Sequence, residues 1–304
     1  MTEQLASLLK QSETLTLDDK ARKDSGYTFV KTAIGYTRYE LKGEGQAVVL
    51  THGYATPYHI YDKLFKALTE KGFKVLRYDL LGRGMSDRPV LDYTPEVFAR
   101  QLDEITDALI PDQKFFLCGS SMGGTVTTCF CSLHPEKVKG LMLFAPAGMD
   151  TFKPPLYMKL CSKPVVGDAL FNLIGAKTLT TRCADQLWHC TEEDRNYYMT
   201  EFAKCARYKG FLKSTLSSLR NTILNTKHDT EGYIAVEKLK LPLMVIWGTK
   251  DQTMPFYQHT RLLEVCPSVE FHILDDAGHD FIYDETAKAL PFIFAFIDKI
   301  NKGE

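Results

Sequence analysis

The sequence predicts an α/β fold: a mostly parallel central sheet flanked by helices, with an inserted helical cap. Three observations support this prediction. Short apolar runs alternate with amphipathic stretches of helical length in the first half of the chain, as expected of βαβ units. These strand signals stop near residue 149 and resume near residue 239. Polar residues able to carry chemistry follow the ends of three apolar runs, where open α/β sheets bind their ligands.

The composition is that of a globular protein with no nucleic-acid partner. Hydrophobic residues make up 44% and charged residues 25% of the 304-residue chain, and the net charge is −1, without the basic patch that nucleic-acid binding requires. No segment approaches the roughly 18 apolar residues of a transmembrane segment. The N-terminus carries Glu3 and lacks the apolar core of a signal peptide. Eight scattered cysteines without zinc-ligand spacing predict free thiols, no metal and a cytoplasmic location.

The chain divides into three parts by its hydrophobic patterns. We expect an N-terminal arm or short helix at 1–24, where Leu5, Leu8 and Leu9 have helical spacing. The other two parts are an α/β core at 25–149 and 239–304, and a helical cap at 150–238.

The elements of the core are predicted in chain order from apolar runs and turn residues. A β-hairpin around Gly35 comes first, and Gly72 and Pro111 end two of the helices that follow. The predicted hairpin, strands and helices are Tyr27–Leu41, Ala47–Thr51, Tyr58–Lys71, Lys74–Tyr78, Thr94–Ile110, a strand through Phe115, Phe116 and Leu117, a helix from about Ser121 through Leu133, Leu141–Ala145, Leu243–Trp247, Phe256–Val265, Glu270–Leu274 and Thr286–Ile300.

The predicted cap lacks strand signals. It contains prolines at 154, 155 and 164, an apolar helical face, and a long helical region from Asp185 to Leu224. Its large apolar side chains favour an apolar acyl or alkyl group as ligand; they are Met149, Phe152, Leu156, Tyr157, Met158, Phe171 and Trp188.

The stretch Gly119-Ser120-Ser121-Met122-Gly123 lies between an apolar strand and a helical pattern. A sharp turn at this point forces Ser121 into a strained conformation and leaves room only for glycine two residues before and after it. The turn holds the Ser121 hydroxyl at a helix N-terminus, which favours negative charge. Ser121 is therefore the predicted nucleophile.

Asp251 and His279 follow two later strands and complete the chemistry that a serine nucleophile needs. An imidazole must take the serine proton, and a carboxylate must fix the imidazole tautomer. Asp150 and Asp276 are the alternative acids. The competing histidines are His52, His59, His134, His189, His228, His259 and His272, but only His279 follows the last strand behind a glycine.

Two backbone N–H groups are predicted to form an oxyanion hole. Met122 directly follows the nucleophile, and Tyr54 follows His52-Gly53 at the end of the Ala47–Thr51 strand. Asp79 follows the next strand, and we expect a structural role for it, capping the turn that contains Arg83.

Taken together, these motifs resemble the α/β-hydrolase superfamily, in which the triad has the chain order Ser, Asp, His. The features that carry the resemblance are His52-Gly53, the Asp79–Ser86 segment, the turn at Ser121, Trp247–Asp251 with Pro255, and Gly278-His279. They are most similar to the capped branch of carboxylesterases, monoacylglycerol lipases and meta-cleavage-product hydrolases. The resemblance implies a serine esterase without cofactor, acting on small or monoacyl lipid-like esters through an acyl-enzyme.

Two other functions stay open on the same scaffold. A carbon–carbon hydrolase acting on a dienoate needs a cation for the substrate carboxylate, and Arg182, Arg195, Arg207 and Arg220 are the candidates. A ligand receptor that retains the triad but barely turns over is the third hypothesis.

Overall fold

A single eight-stranded sheet runs through the computed structural model, which describes residues 12–303. The strands lie in the order β1-β2-β4-β3-β5-β6-β7-β8. The first two pairs in this order are antiparallel and the other five are parallel, which confirms the predicted fold class. The strands are β1 Thr28–Lys31, β2 Tyr36–Lys42, β3 Ala47–Thr51, β4 Lys74–Tyr78, β5 Phe115–Ser120, β6 Val138–Phe144, β7 Leu243–Gly248 and β8 Glu270–Leu274.

Helices cover the sheet, because every residue of β3, β5 and β7 is buried and such strands need helices on both faces. The α-helices of the described range, including those that do not contact the sheet, are α1 Asp19–Ser25, α2 Asp62–Glu70, α3 Pro95–Leu109, α4 Met122–Leu133, α5 Leu156–Cys161, α6 Val166–Asp185, α7 Glu192–Ala206, α8 Phe211–Ser218, α9 Thr226–Lys238, α10 His259–Val265, α11 Phe281–Asp284 and α12 Thr286–Asn301. Among residues 12–303, no helix is both long and apolar enough to cross a membrane.

The strand register aligns the carboxyl ends of the central strands. Thr51 of β3 lies opposite Gly119 of β5, which in turn lies opposite Leu143 of β6. Gly248 of β7 lies opposite Leu274 of β8. The loops that follow these strands therefore open on one edge of the sheet.

Helices α5 to α9 form an insertion between β6 and β7, and β-strands are absent from it. The predicted helical region from Asp185 to Leu224 is helical over most of its length but is not continuous, because the structure divides it into α7, α8 and a π-helical turn at Leu219–Ile223. Thr191 caps a new helix by accepting a hydrogen bond from Asp194 N–H. Gly210, at φ +93°, then breaks the chain before α8, since few residues other than glycine adopt this conformation.

The start of the described chain contacts both the insertion and the core. Glu13 N–H donates to Ala206 O at 3.1 Å, and Leu15 N–H donates to Arg207 O at 2.9 Å. Farther along, Arg22 of α1 pairs with Asp87 at 2.7 Å. Leu5, Leu8 and Leu9 of the predicted arm lie outside the described residues.

Most of the other predicted helix and strand bounds agree closely with the structure. The exceptions are β5, which extends to Ser120, three residues beyond the predicted Leu117, and β6, which begins at Val138, three residues before the predicted Leu141. The first residue of β6 pairs with Phe115, and the register shifts between Phe115 and Phe116.

Candidate active site

Ser121 lies at the turn between β5 and α4, as its sequence context predicts. Its backbone has φ +54° and ψ −122°, a region that costs energy for a residue with a Cβ. Ser121 N–H donates to Phe144 O of β6 at 3.0 Å, and Ser121 O accepts from Ala147 N–H at 2.9 Å. These bonds to β6 and the following loop hold the strained turn in place.

The two glycines around Ser121 are required by close packing. A Cβ at Gly119 would lie 2.5 Å from Gly123 O, and a Cβ at Gly123 would lie 2.3 Å from Thr51 O. Both distances are well below van der Waals contact. The turn therefore fits against the end of β3 only with glycine at both positions, as predicted.

His279 and Asp251 meet at the carboxyl edge of the sheet. Nδ1 of His279 lies 2.7 Å from Oδ2 of Asp251, and both side chains are almost fully buried. The other carboxylate oxygen of Asp251 accepts backbone N–H groups of Thr253 and Met254, each at 2.8 Å. Three donors therefore fix this carboxylate, and Nε2 is the imidazole nitrogen left for another partner.

The environment of His279 tunes its basicity. Burial lowers the pKa of His279, but the charge of Asp251 and the hydrogen bond to it raise the pKa by more, so that it lies above its ordinary value. A raised pKa makes the neutral imidazole a stronger base. Ser121 and His279 line the same cavity.

The loop after β3 lies directly against Ser121. A Cβ at Gly53 would lie 3.1 Å from Ser121 Cβ and 3.6 Å from its Oγ. His52 accepts Leu80 N–H at Nε2 (2.8 Å), so its proton is on Nδ1, which donates to Gly53 O at 2.9 Å. Burial lowers the pKa of His52 to about 4, which keeps the ring neutral in this structural role.

The alternative acids and bases lie elsewhere. Asp150 pairs with Arg261 at 2.9 Å, and Asp276 is exposed and contacts His189. His228 pairs with Glu96 at 2.7 Å. Of the competing histidines, none lines the cavity of Ser121 within the described part of the chain.

Asp79 has the contacts of a structural residue. Its carboxylate accepts Tyr58 N–H at 3.0 Å and Met85 N–H at 2.9 Å, and it pairs with the buried Arg38 at 3.3 Å. Burial raises the pKa of Asp79, but Arg38 and the other donors lower it by more, so that the carboxyl stays charged. Arg83, in the same turn, donates from Nε to Tyr54 O at 2.8 Å.

A cavity of about 950 Å³, including its mouth, lies between this edge of the sheet and the insertion. Gly53, Tyr54, Ser121 and His279 form its floor, and α5 and α6 supply much of the remaining lining. The lining residues are mainly apolar; those from the insertion include Met158, Phe171, Ile174, Leu179, Leu219 and Ile223. Of the large apolar side chains singled out in the sequence, Tyr157, Met158 and Phe171 line the cavity, whereas Leu156 and Trp188 are exposed.

The cavity also holds polar side chains, and Asp280 is one that was not singled out in the sequence. Asp280, next to His279, is buried and accepts the Tyr198 hydroxyl at 2.7 Å, and burial raises its pKa to about 6. The buried Tyr157 hydroxyl has no partner among the described residues. Arg182 lines the same cavity. No sequence signal separates Arg182 from the other candidate arginines, because their distances to Ser121 depend on how the insertion folds.

Comparison with known proteins agrees with this architecture. The profile described as "alpha/beta hydrolase fold" matches residues 46–286. Lipase 3 of Moraxella sp. (strain TA144) is 24% identical over 264 residues, covering 85% of this chain and 79% of the lipase. The 2-hydroxy-6-oxononadienedioate/2-hydroxy-6-oxononatrienedioate hydrolase of Klebsiella pneumoniae is 28% identical, covering 78% of this chain and 82% of that protein.

Solved structures share the fold. A thermophilic esterase from Thermogutta terrifontis superposes with a TM-score of 0.74 and 19% identity, covering 90% of this chain and 98% of the esterase. The family profile covers most of the chain. The chain belongs to the α/β-hydrolase family.

Proposed function

We propose that this protein is a serine hydrolase that cleaves carboxylic esters through an acyl-enzyme. The observation that carries the proposal is the buried His279–Asp251 pair, 2.7 Å apart, in the cavity that Ser121 also lines. This arrangement supplies a nucleophile, a base and the carboxylate that orients the base.

The proposed reaction begins with attack of Ser121 Oγ on the ester carbonyl carbon. Nε2 of His279 takes the hydroxyl proton, and the carbonyl π electrons move onto oxygen to form a tetrahedral oxyanion. When this intermediate collapses, the C–O bond to the alcohol breaks and His279 returns the proton to the leaving oxygen. Water then attacks the acyl-enzyme by the same route and releases the carboxylic acid. Asp251 stabilises the imidazolium in both halves of the reaction.

The backbone N–H groups of Tyr54 and Met122 are proposed to bind the oxyanion. The bond between His52 and Gly53 O supports this role for Tyr54, because the N–H of a trans peptide points opposite to its carbonyl. Tyr54 N–H is therefore directed away from the His52 ring. Met122 begins α4, so its N–H is one of the free donors of a helix N-terminus.

The insertion, residues 150–238, is proposed to act as a cap that selects the substrate. Its apolar contribution to the cavity favours a small or monoacyl lipid-like ester with an apolar acyl or alkyl group. The eight unpaired cysteines, six of them buried, support the proposed cytoplasmic location.

Labelling with a fluorophosphonate probe tests the mechanism without knowledge of the substrate. We expect the wild-type protein to be labelled and Ser121→Ala to be unlabelled. Ser120→Ala is the matched control, because Ser120 is the preceding residue and ends strand β5; this variant should retain labelling. Equal labelling of wild type and Ser121→Ala would contradict the proposal. Tight ligand binding without any labelling would favour the receptor hypothesis.

A second function, hydrolysis of a carbon–carbon bond in a dienoate, is favoured by Arg182. Of the four candidate arginines, Arg195 donates to the carbonyls of Ala184 and Leu187 and Arg220 pairs with Asp168. Arg182 is the member of this set that lines the cavity with Ser121. Its guanidinium would bind a substrate carboxylate there.

Comparing two substrates separates the two functions. If Arg182→Gln lowers kcat/KM for a carboxylate-bearing dienoate by about 100-fold and leaves a neutral p-nitrophenyl ester unchanged, the carbon–carbon function is supported. Turnover of the neutral ester alone by the wild-type protein supports the esterase.

A further inference from the structure

Large exposed aliphatic side chains are concentrated on the outer side of the insertion. Leu156 is 72% exposed, Val165 80%, and Leu173 82%. Three more exposed aliphatic residues, Leu160, Val166 and Ile174, lie in the same stretch of α5, α6 and the loop between them. Single exposed aliphatic residues are ordinary on a protein surface, but a contiguous group marks an interaction site.

Helical spacing places these residues on common faces. Leu156 and Leu160 are four residues apart on α5. On α6, Val166, Leu173 and Lys177 follow the spacing of one helical face. Because α5 and α6 pack against each other and are joined directly by the short loop 162–165, we treat the two faces and the loop as one surface. We call residues 156–174 on this side the apolar face.

Lysines surround the apolar face. Lys153, Lys159, Lys163 and Lys177 are all exposed, and none of them takes part in a salt bridge among the described residues. The single acidic residue between positions 151 and 177 is Asp168, and its charge is compensated by Arg220 at 3.0 Å. The surface is therefore apolar at its centre and positively charged at its edge.

The apolar face adjoins the active-site cavity. Ile174 belongs to both, since it is 39% exposed and also lines the cavity. Tyr157 and Met158 of α5 and Phe171 of α6 line the cavity from the inner side of the same two helices. Only the thickness of this helix pair separates the outer surface from the proposed site of reaction.

We infer that the apolar face binds reversibly to the surface of an anionic lipid bilayer. Exposed leucine and valine side chains insert at the boundary between headgroups and acyl chains, and neighbouring lysines attract anionic headgroups. Such docking presents the cavity to the membrane, so that an apolar ester reaches Ser121 from the lipid phase; this last step rests on the proposed esterase function, whereas the docking does not.

The charge around the apolar face favours a bilayer over a second copy of the chain. In a two-fold symmetric dimer formed through this face, the same patch of both copies would meet itself. The lysines of the two copies would then face one another and repel. An anionic bilayer instead pairs every lysine with an opposite charge.

Vesicle flotation tests the docking. The protein carries Ser121→Ala so that lipids are not consumed, and vesicles are made of phosphatidylcholine alone or with phosphatidylserine. We expect binding to the mixed vesicles. Leu173→Gln should lower the partition coefficient about tenfold, because it removes one inserted aliphatic side chain. Leu133→Gln is the matched control, since Leu133 is 55% exposed but is the last residue of α4 in the core, and it should bind like the parent protein.

The electrostatic part has its own variant. Lys159→Gln combined with Lys163→Gln should lower binding to the mixed vesicles about 25-fold, since each lysine near an anionic surface is worth about fivefold. Equal flotation of the Leu173→Gln and Leu133→Gln proteins would overturn the inference. So would a dimer in light scattering that Leu173→Gln dissociates, because the apolar face would then be an interface between copies. Docking is measured without turnover, so its failure is distinct from a failure of fluorophosphonate labelling.

Discussion

Replacing Asp251 with asparagine tests the proposed triad most sharply, because it changes one charge and preserves the shape of the side chain. In the wild-type protein Oδ1 accepts two backbone N–H groups at 2.8 Å and Oδ2 accepts His279 Nδ1. The single oxygen of an asparagine side chain can accept either the two backbone N–H groups or the His279 N–H, but not both. If the oxygen keeps the two backbone donors, the amide NH₂ faces His279, and the ring must move its proton to Nε2. That tautomer cannot accept a proton from Ser121.

The opposite amide orientation keeps the active tautomer but leaves two buried N–H groups without acceptors. At about 1–3 kcal/mol for each unmet group, it is less stable by about 2–6 kcal/mol, so the active tautomer is populated at roughly 1 part in 30 to 1 part in 10⁴. Loss of the carboxylate also removes the charge that stabilises the imidazolium. We therefore expect kcat/KM to fall by about 10⁴-fold.

The assay is hydrolysis of a short p-nitrophenyl ester together with the rate of fluorophosphonate labelling. Asp276→Asn is the control, because Asp276 lies three residues before His279 but its side chain is 61% exposed; its rate should stay within about twofold of wild type. An Asp251→Asn protein that is folded by thermal melting and retains more than about a tenth of the wild-type rate would refute the reasoning.

Three further predictions follow from the same contacts. First, the pKa of His279 lies above its ordinary value and only the neutral ring acts as base, so kcat/KM should fall as the pH decreases through a value above about 6.5. A pH profile of kcat/KM checks this, and an acid limb well below pH 6 would contradict it. Second, Asp79→Ala leaves the buried Arg38 unpaired and should lower the free energy of unfolding by about 3–5 kcal/mol, measured by urea titration; no change in the midpoint would disprove the structural role. Third, a series of p-nitrophenyl esters should show kcat/KM increasing with acyl length at first, because the cavity lining is mostly apolar, whereas flat low activity at every length would count against an apolar acyl site.

The proposed triad positions were accessible from the sequence because local patterns encode their surroundings. Gly119 and Gly123 mark the turn around Ser121, and Asp251 and His279 each follow an apolar run that becomes a buried or edge strand. A short sequence pattern was enough to predict a position wherever the neighbouring residues alone determine the backbone conformation.

Features that depend on distant packing were not accessible in this way. Arg182 was one of four equivalent arginines until the fold of α6 placed it at the cavity. Asp280 follows His279 in the sequence, but its burial and its bond to Tyr198 come from the contact between the insertion and the core. The sequence did not predict the break between α7 and α8. The residues on both sides of it have a helical pattern, and the single glycine at position 210 is a weak signal for a helix end.

The backbone bonds of Glu13 and Leu15 bear on which part of the insertion is free to move relative to the proposed active site. Glu13 and Leu15 are bonded to the corner between α7 and α8, while α1 is anchored to the core by the pair of Arg22 and Asp87. These bonds connect the part of the insertion around α7 and α8 to the core. We therefore expect the cavity to widen mainly by movement of α5 and α6, which carry the apolar face. A protein trimmed to begin after Leu15 would lose these backbone bonds. In that protein we expect α7 and α8 to move as well as α5 and α6.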